Sequence, residues 1–209
     1  MTLTDSYALP DAVPSRGEDD DMVVRAMYRI ESSAALERLS RALEFASRPL
    51  AGEPTRSLLL GAGTGHALHP FMTDVPIGLW SSAVLLDVRG RRADRPAARL
   101  LLAAGLVSVL PTVATGLAEW RQLNRPENRV GALHAALNLG AVALYAVSLG
   151  LRRRGQHGSG IAASMAATVV ASGAGYLGGH LAIARKAGTR HPAYETDAVG
   201  PSLGRPDPR

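Results

Sequence analysis

The 209 residues include no cysteine. That absence excludes a disulfide framework, thiolate zinc sites, cysteine-ligated iron–sulfur clusters and covalently attached c-type haem. Aromatic residues make up only 4% of the chain, and strict apolar–polar alternation is missing. The second absence argues against a membrane β-barrel. The N-terminus has no positive region followed by an apolar stretch, so no secretory signal peptide is expected. A basic helix carrying base-reading side chains is also lacking, so the pI near 10.2 does not imply a nucleic-acid partner.

What the chain has is long intervals without charge. Charged residues make up 20%, but they are bunched. Leu100–Ala118 is 19 residues without a charge, Val130–Leu151 is 22 and Gly155–Ala184 is 30. Phe71–Leu86 is 16, broken only by Asp74. About 20 apolar residues cross a hydrocarbon core, and only helices or closed barrels satisfy their backbone in lipid. The pattern predicts an all-α integral membrane protein, a four-helix up-down bundle in the lipid bilayer. Its spans should fall at about 70–88, 98–120, 130–151 and 160–183, within a membrane domain over 51–185. Residues 1–30 and 186–209 read as disordered tails, and 31–50 as an amphipathic helix on the membrane surface or the bundle's end, with Leu36, Leu39 and Leu43 at helical spacing.

Orientation is not encoded by the flanking arginines and lysine. Arg89, Arg91, Arg92, Arg95, Arg152, Arg153 and Arg154 lie on one side. Arg56, Arg121, Arg125, Arg129, Arg185, Lys186 and Arg190 lie on the other, so the count is a tie. Both termini are expected in the cytoplasm; a homo-oligomer is compatible with the sequence.

The up-down topology gathers polar residues at one face. His66 and His69 open the first span, Glu119 and Trp120 close the second, His134 opens the third and His180 ends the fourth. Asp74, Thr115, Asn138 and Tyr176 form a second layer about one turn deeper, each expected to point inward. Plainer roles exist for each: an interfacial histidine, an aromatic-belt Trp120, or Asp74 capping a helix whose first turn holds Pro76. In the fourth span Ala167, Ala171, Gly175 and Gly179 recur every fourth residue and predict a close-packing stripe.

These groups suit several chemistries. The first is a b-type haem with His134 and His180 as axial ligands and His69 and His66 in reserve, serving electron transfer with a quinone or another redox protein. Asp74, Glu119, Asn138, Tyr176 and Thr115 would then orient imidazoles or handle protons. The second is a non-haem zinc, iron or manganese site with His66, His69, His134 and His180 as metal ligands, joined by Glu119 and Asp74, which would permit enzyme chemistry. The third is a structural scaffold without a cofactor, and a proton-relaying transporter is a fourth.

The run from Gly65 to Trp80, Gly-His-Ala-Leu-His-Pro-Phe-Met-Thr-Asp-Val-Pro-Ile-Gly-Leu-Trp, resembles the signature Gly-His-Pro-Leu-His-Pro-x-x-Thr-Asp-x-Pro-x-Gly-x-Trp of a bacterial predicted-membrane-protein family, domain of unknown function 2231. Thr115-Gly116-Leu117-Ala118-Glu119-Trp120, His134 with Asn138, and Gly175-Tyr176-Leu177-Gly178-Gly179-His180-Leu181 are similar to later parts of it. Ala67 stands where the family has proline. The resemblance covers about 31–185 and implies four membrane helices in the inner membrane of a bacterial cell, without an established activity. Relatives that continue into a Rieske [2Fe–2S] domain imply redox work. This cysteine-free chain would need such a partner in trans.

Overall fold

The computed structural model describes residues 21–188; of the tails expected at 1–30 and 186–209, residues 1–20 and 189–209 lie outside the described residues. Seven α-helices follow in order: α1 Met22–Glu31, α2 Glu37–Ser47, α3 Thr55–Leu59, α4 Leu68–Arg89, α5 Arg95–Glu119, α6 Arg125–Arg153 and α7 His157–Gly179. A π-helical turn, His180–Ala184, extends α7. No strand occurs among the described residues. The stretches Leu68–Arg89, Arg92–Gln122, Arg125–Arg153 and His157–Ala184 are each long and apolar enough to cross a membrane.

Helix ends follow from local chemistry. Gly90 and Gly155 stop α4 and α6 in the left-handed region, at φ 72° and 79°. Asn124 opens α6 through a capping box with Glu127. Helix α4 begins earlier than a cap at Asp74 would allow, because Pro76 lies inside it. Pro76 has no N–H to offer the Met72 carbonyl. The Thr112 hydroxyl of α5 fills that gap, 3.0 Å from Met72 O and 2.9 Å from Ser108 O.

Helix α1 occupies residues expected in a tail. Met27 is buried with Val130 and Leu177, and Ile30 packs beside them. Val23, Met27 and Ile30 share one helical face, which a reading weighted by the neighbouring acidic run does not detect. The expected helix at 31–50 is a short turn followed by α2, and both pieces lie against the start of α6. The Ser40 hydroxyl donates to Asn128 O at 3.1 Å, and Arg129 donates to Glu31 O at 2.9 Å. Partial burial acts to raise the Glu37 carboxyl, but Arg125 and Arg129 outweigh it and hold it below the usual carboxylate range.

The bundle is two antiparallel hairpins, α4–α5 and α6–α7, with α5 packed on α6 and α7 on α4. The hairpins repeat each other. Adding 65 to the buried Pro76, Trp80 and Ala83 of α4 gives the buried Ala141, Tyr145 and Ser148 of α6, the same separation as Asp87 from Arg152. In α5, Ala98, Leu102, Gly105, Thr112 and Thr115 are buried; each is 62 residues before Gly160, Ser164, Ala167, Ala174 and Leu177, all buried in α7. Both hairpins run in the same direction, so they are related by a pseudo-two-fold axis along the bundle.

This phase corrects the stripe expected in α7. Ala167 is buried, but Gly175 is exposed and Ala171 and Gly179 are only partly covered. The packed stripe is Gly160, Ser164, Ala167, Ala174 and Leu177. A Cβ at Gly175 meets nothing within 4 Å, whereas one at Gly178 falls 3.0 Å from His134 Cε1. Gly175→Ala is therefore expected to leave thermal stability in detergent unchanged or raise it by about 0.4–1 kcal/mol. Gly178→Ala is expected to lower it and shift the His134 ring.

Candidate functional site

Equivalent residues of the two hairpins meet on the pseudo-axis in three layers. At one end, Asp87 and Arg152 form a bidentate ion pair, Nη1 to Oδ1 at 2.7 Å and Nη2 to Oδ2 at 2.5 Å. Arg152 is 2% exposed, and it also donates to Ser148 Oγ at 3.1 Å and Ser164 Oγ at 3.0 Å. Arg152 is thus an interior residue rather than a flanking loop charge. In the middle, Trp80 and Tyr145 stack with ring centres 4.1 Å apart and planes 21° apart. Trp80 Nε1 reaches Leu102 O at 3.4 Å, and Tyr145 bonds Thr168 Oγ1 at 3.0 Å. At the other end are His69 and His134, ring centres 6.4 Å apart with nearly perpendicular planes.

The two histidines are held alike. His69 Nδ1 lies 3.0 Å from Thr112 O and 3.3 Å from Thr115 Oγ1 on the second helix of its hairpin. His134 Nδ1 lies 2.8 Å from Ala174 O on the second helix of the other. A carbonyl only accepts, so each Nδ1 carries the proton and each Nε2 keeps its lone pair. One turn beyond each carbonyl, Gly116 and Gly178 clear space for the ring. A Cβ there would lie 2.8 Å from His69 Cε1 and 3.0 Å from His134 Cε1.

Two departures from the repeat lie beside this pair. Asn138 Nδ2 donates to His134 Nε2 and to His134 O, each at 3.1 Å. At the matching place, the Thr73 hydroxyl turns back to Pro70 O, leaving His69 without such a donor. The Glu119 carboxyl faces the His69 backbone N–H, and its Oε1 is buried with no partner.

The other expected site residues sit elsewhere. The His180 Nε2 is 2.9 Å from Glu31 Oε1, beside Arg185, which lies 3.6 Å from the same oxygen. The structure therefore joins His134 to His69, and ties His180 to the helix that overlies the bundle. His66 is exposed and bonds Ala67 O at 3.0 Å, at the edge of an open cleft with Phe71 and Lys186. Asp74 and Tyr176 point outward, Tyr176 being 52% exposed, so neither joins the inward layer. Among the described residues no three His, Asp or Glu side chains converge to hold a metal ion.

Asp87, Arg152, Trp80 and Tyr145 were missed as a set by sequence reasoning. The signal was present: Ala-Leu-His occurs at 67–69 and at 132–134, and glycine follows at 90 and at 155.

Fold and site together define an α-helical membrane protein of four spans, built from two similar hairpins with paired histidines at one end. The chain belongs to the family described as predicted membrane protein (DUF2231), which it matches over residues 65–191. No curated protein and no solved structure matches it.

Proposed function

We propose that the chain is a small electron-transfer subunit of the bacterial inner membrane that holds a b-type haem through His69 and His134. It would work with a separate redox partner, a Rieske-type protein or a quinone. The observation that supports this reading is the histidine pair on the pseudo-axis. Nδ1–H bonded to a carbonyl is the usual way a protein fixes a ligating imidazole and aims its Nε2. His69 and His134, with ring centres 6.4 Å apart, would hold the group through the Nε2 that each Nδ1–carbonyl bond leaves unprotonated. Asn138 keeps its bond to His134 O when His134 Nε2 is given up, so the donor on that nitrogen is displaceable. The pairing of His134 with His180 has no such support, because Glu31 occupies the His180 Nε2.

A haem held there would supply one-electron chemistry. The chain's own part is to orient two neutral imidazoles, keep Gly116 and Gly178 clear beside them, and shield the pair between hairpins. A second reading, a non-haem zinc, iron or manganese site, would rest on the same two imidazole nitrogens, since no third His, Asp or Glu side chain converges with them among the described residues.

Absorption spectra of detergent-purified protein from a haem-supplied host, oxidised and dithionite-reduced, test this with metal analysis of the same sample. The haem reading predicts a Soret band and reduced α and β bands at one haem per chain. A colourless sample with stoichiometric zinc, iron or manganese establishes the second reading instead. A colourless, metal-free sample contradicts both and leaves the histidines as scaffold.

A further inference from the structure

The end of the bundle away from the histidine pair carries charge of one sign. At the histidine end, Glu31, Glu37 and Glu127 stand against Arg125, Arg129 and Arg185. At the opposite end, residues 86–100 and 148–160 hold only two acids, Asp87 and Asp94. Asp87 is taken by Arg152, and Asp94 faces Arg89 at 3.6 Å. Arg91, Arg92, Arg95, Arg99, Arg153 and Arg154 have no acidic partner among the described residues.

Two of these arginines converge with a histidine. Arg95 and Arg99 lie one turn apart on α5, and both bring their charge to His157, the first residue of α7, as does the buried Arg152. Arg95 and His157 are separated by the offset that relates α5 to α7, so they open the second helix of each hairpin at equivalent places. Neither helix begins with a side-chain cap bond or an acid in its first turn. The Gly160 N–H is the one that closes the first turn of α7, onto Gln156 O, so the N–H groups of Gly158 and Ser159 precede the ladder. A Cβ at Gly158 would meet nothing within 4 Å, so the space before them is open. The His157 Nδ1 is enclosed yet has no partner.

We propose that this end of the bundle binds a phosphate group, held by Arg95, Arg99, His157 and the first N–H groups of α7. Like charges gathered without a counter-ion repel one another, and the positive ends of two long helices add to them. An anion among them removes that repulsion. The donors present are those that a phosphate takes: guanidinium forks, an imidazole nitrogen and the N–H groups of a helix start. Both helices begin at the end of a span, at the depth of lipid headgroups. An anionic phospholipid and free inorganic phosphate present the same chemistry there.

The test titrates the delipidated full chain, in a non-ionic detergent, with phosphatidylglycerol, phosphatidylcholine or inorganic phosphate. The rise of the thermal unfolding midpoint with ligand concentration gives the apparent affinity. A saturable rise with phosphatidylglycerol and none with inorganic phosphate makes the ligand a lipid headgroup. A saturable rise with inorganic phosphate makes it the free ion. In either case Arg95→Gln joined to Arg99→Gln should weaken binding about thirtyfold, roughly fivefold for each arginine near a phosphate. His157→Gln, a smaller change at the same place, should weaken it as well. Arg91→Gln joined to Arg92→Gln removes two exposed arginines from the same end and should leave binding as in the parent. No saturable rise with either phosphate source overturns the proposal, as does a rise with phosphatidylcholine equal to that with phosphatidylglycerol. Equal weakening by the two double variants also overturns it, because the charge then acts as a diffuse surface.

Discussion

Asp87→Asn is expected to lower the stability of the detergent-solubilised protein by about 3–5 kcal/mol, read as the midpoint of unfolding in a denaturing-detergent titration. The reason is the surroundings of Arg152. Its guanidinium is almost fully enclosed between α6, α7 and α4, with both Asp87 oxygens, Ser148 and Ser164 around it. Arginine stays charged in proteins, so removing the carboxylate leaves a buried cation whose remaining partners are neutral. Arg152→Met alone leaves Asp87 buried without its counter-ion and should cost a similar amount. Joining Arg152→Met to Asp87→Leu removes both charges and should recover most of the loss. If Asp87→Asn is neutral, water reaches Arg152 and the layer is not the sealed one described.

The second large effect is at Gly105. A Cβ built there overlaps the Trp80 indole at Nε1, with Cδ1 and Cε2 only 2.6 and 2.8 Å away. The indole cannot retreat, because Tyr145 stacks on it at 4.1 Å. Gly105→Ala should therefore cost about 1–3 kcal/mol of overpacking. The other repeat shows how the clash is avoided. There the ring is the narrower Tyr145, and Ala167 stands at the position matching Gly105. Trp80→Tyr joined to Gly105→Ala copies that solution into the first hairpin and should restore stability beyond the sum of the single effects. Additive losses would mean that the two positions are not coupled.

Charge-free intervals made the four spans legible, because in lipid the length of an apolar run is itself the structural requirement. His134 with Asn138 was legible as well, since a four-residue spacing on one helix fixes a shared face. Which face points inward was not. Asp74 and Tyr176 were expected inside and lie outside, while Thr115 is buried beside His69. A span surrounded by lipid is apolar on all sides, so hydropathy carries little information about its rotation. Which histidine lies nearest His134 was not legible for a different reason. Depth along the helices pairs His134 with His180 as well as with His69, and depth does not report the Glu31 carboxylate on α1. The repeat was hidden because the offset falls from 65 (Asp87 to Arg152) to 62 (Thr112 to Ala174), a first hairpin longer by 3 residues at its loop. Its strongest pairs are also unlike in type, Trp80 with Tyr145 and Asp87 with Arg152.

The most direct test of the account is the reduced-minus-oxidised spectrum of three single variants, His69→Ala, His134→Ala and His180→Ala, each purified as the full chain beside the parent. The site on the pseudo-axis predicts that the first two lose or shift the haem bands while each protein still inserts and elutes as the parent does. It predicts that His180→Ala keeps the bands intact, since that ring serves only the contact with Glu31. Loss of the bands in His180→Ala with retention in His69→Ala would contradict the pairing and place the ligands across α6 and α7.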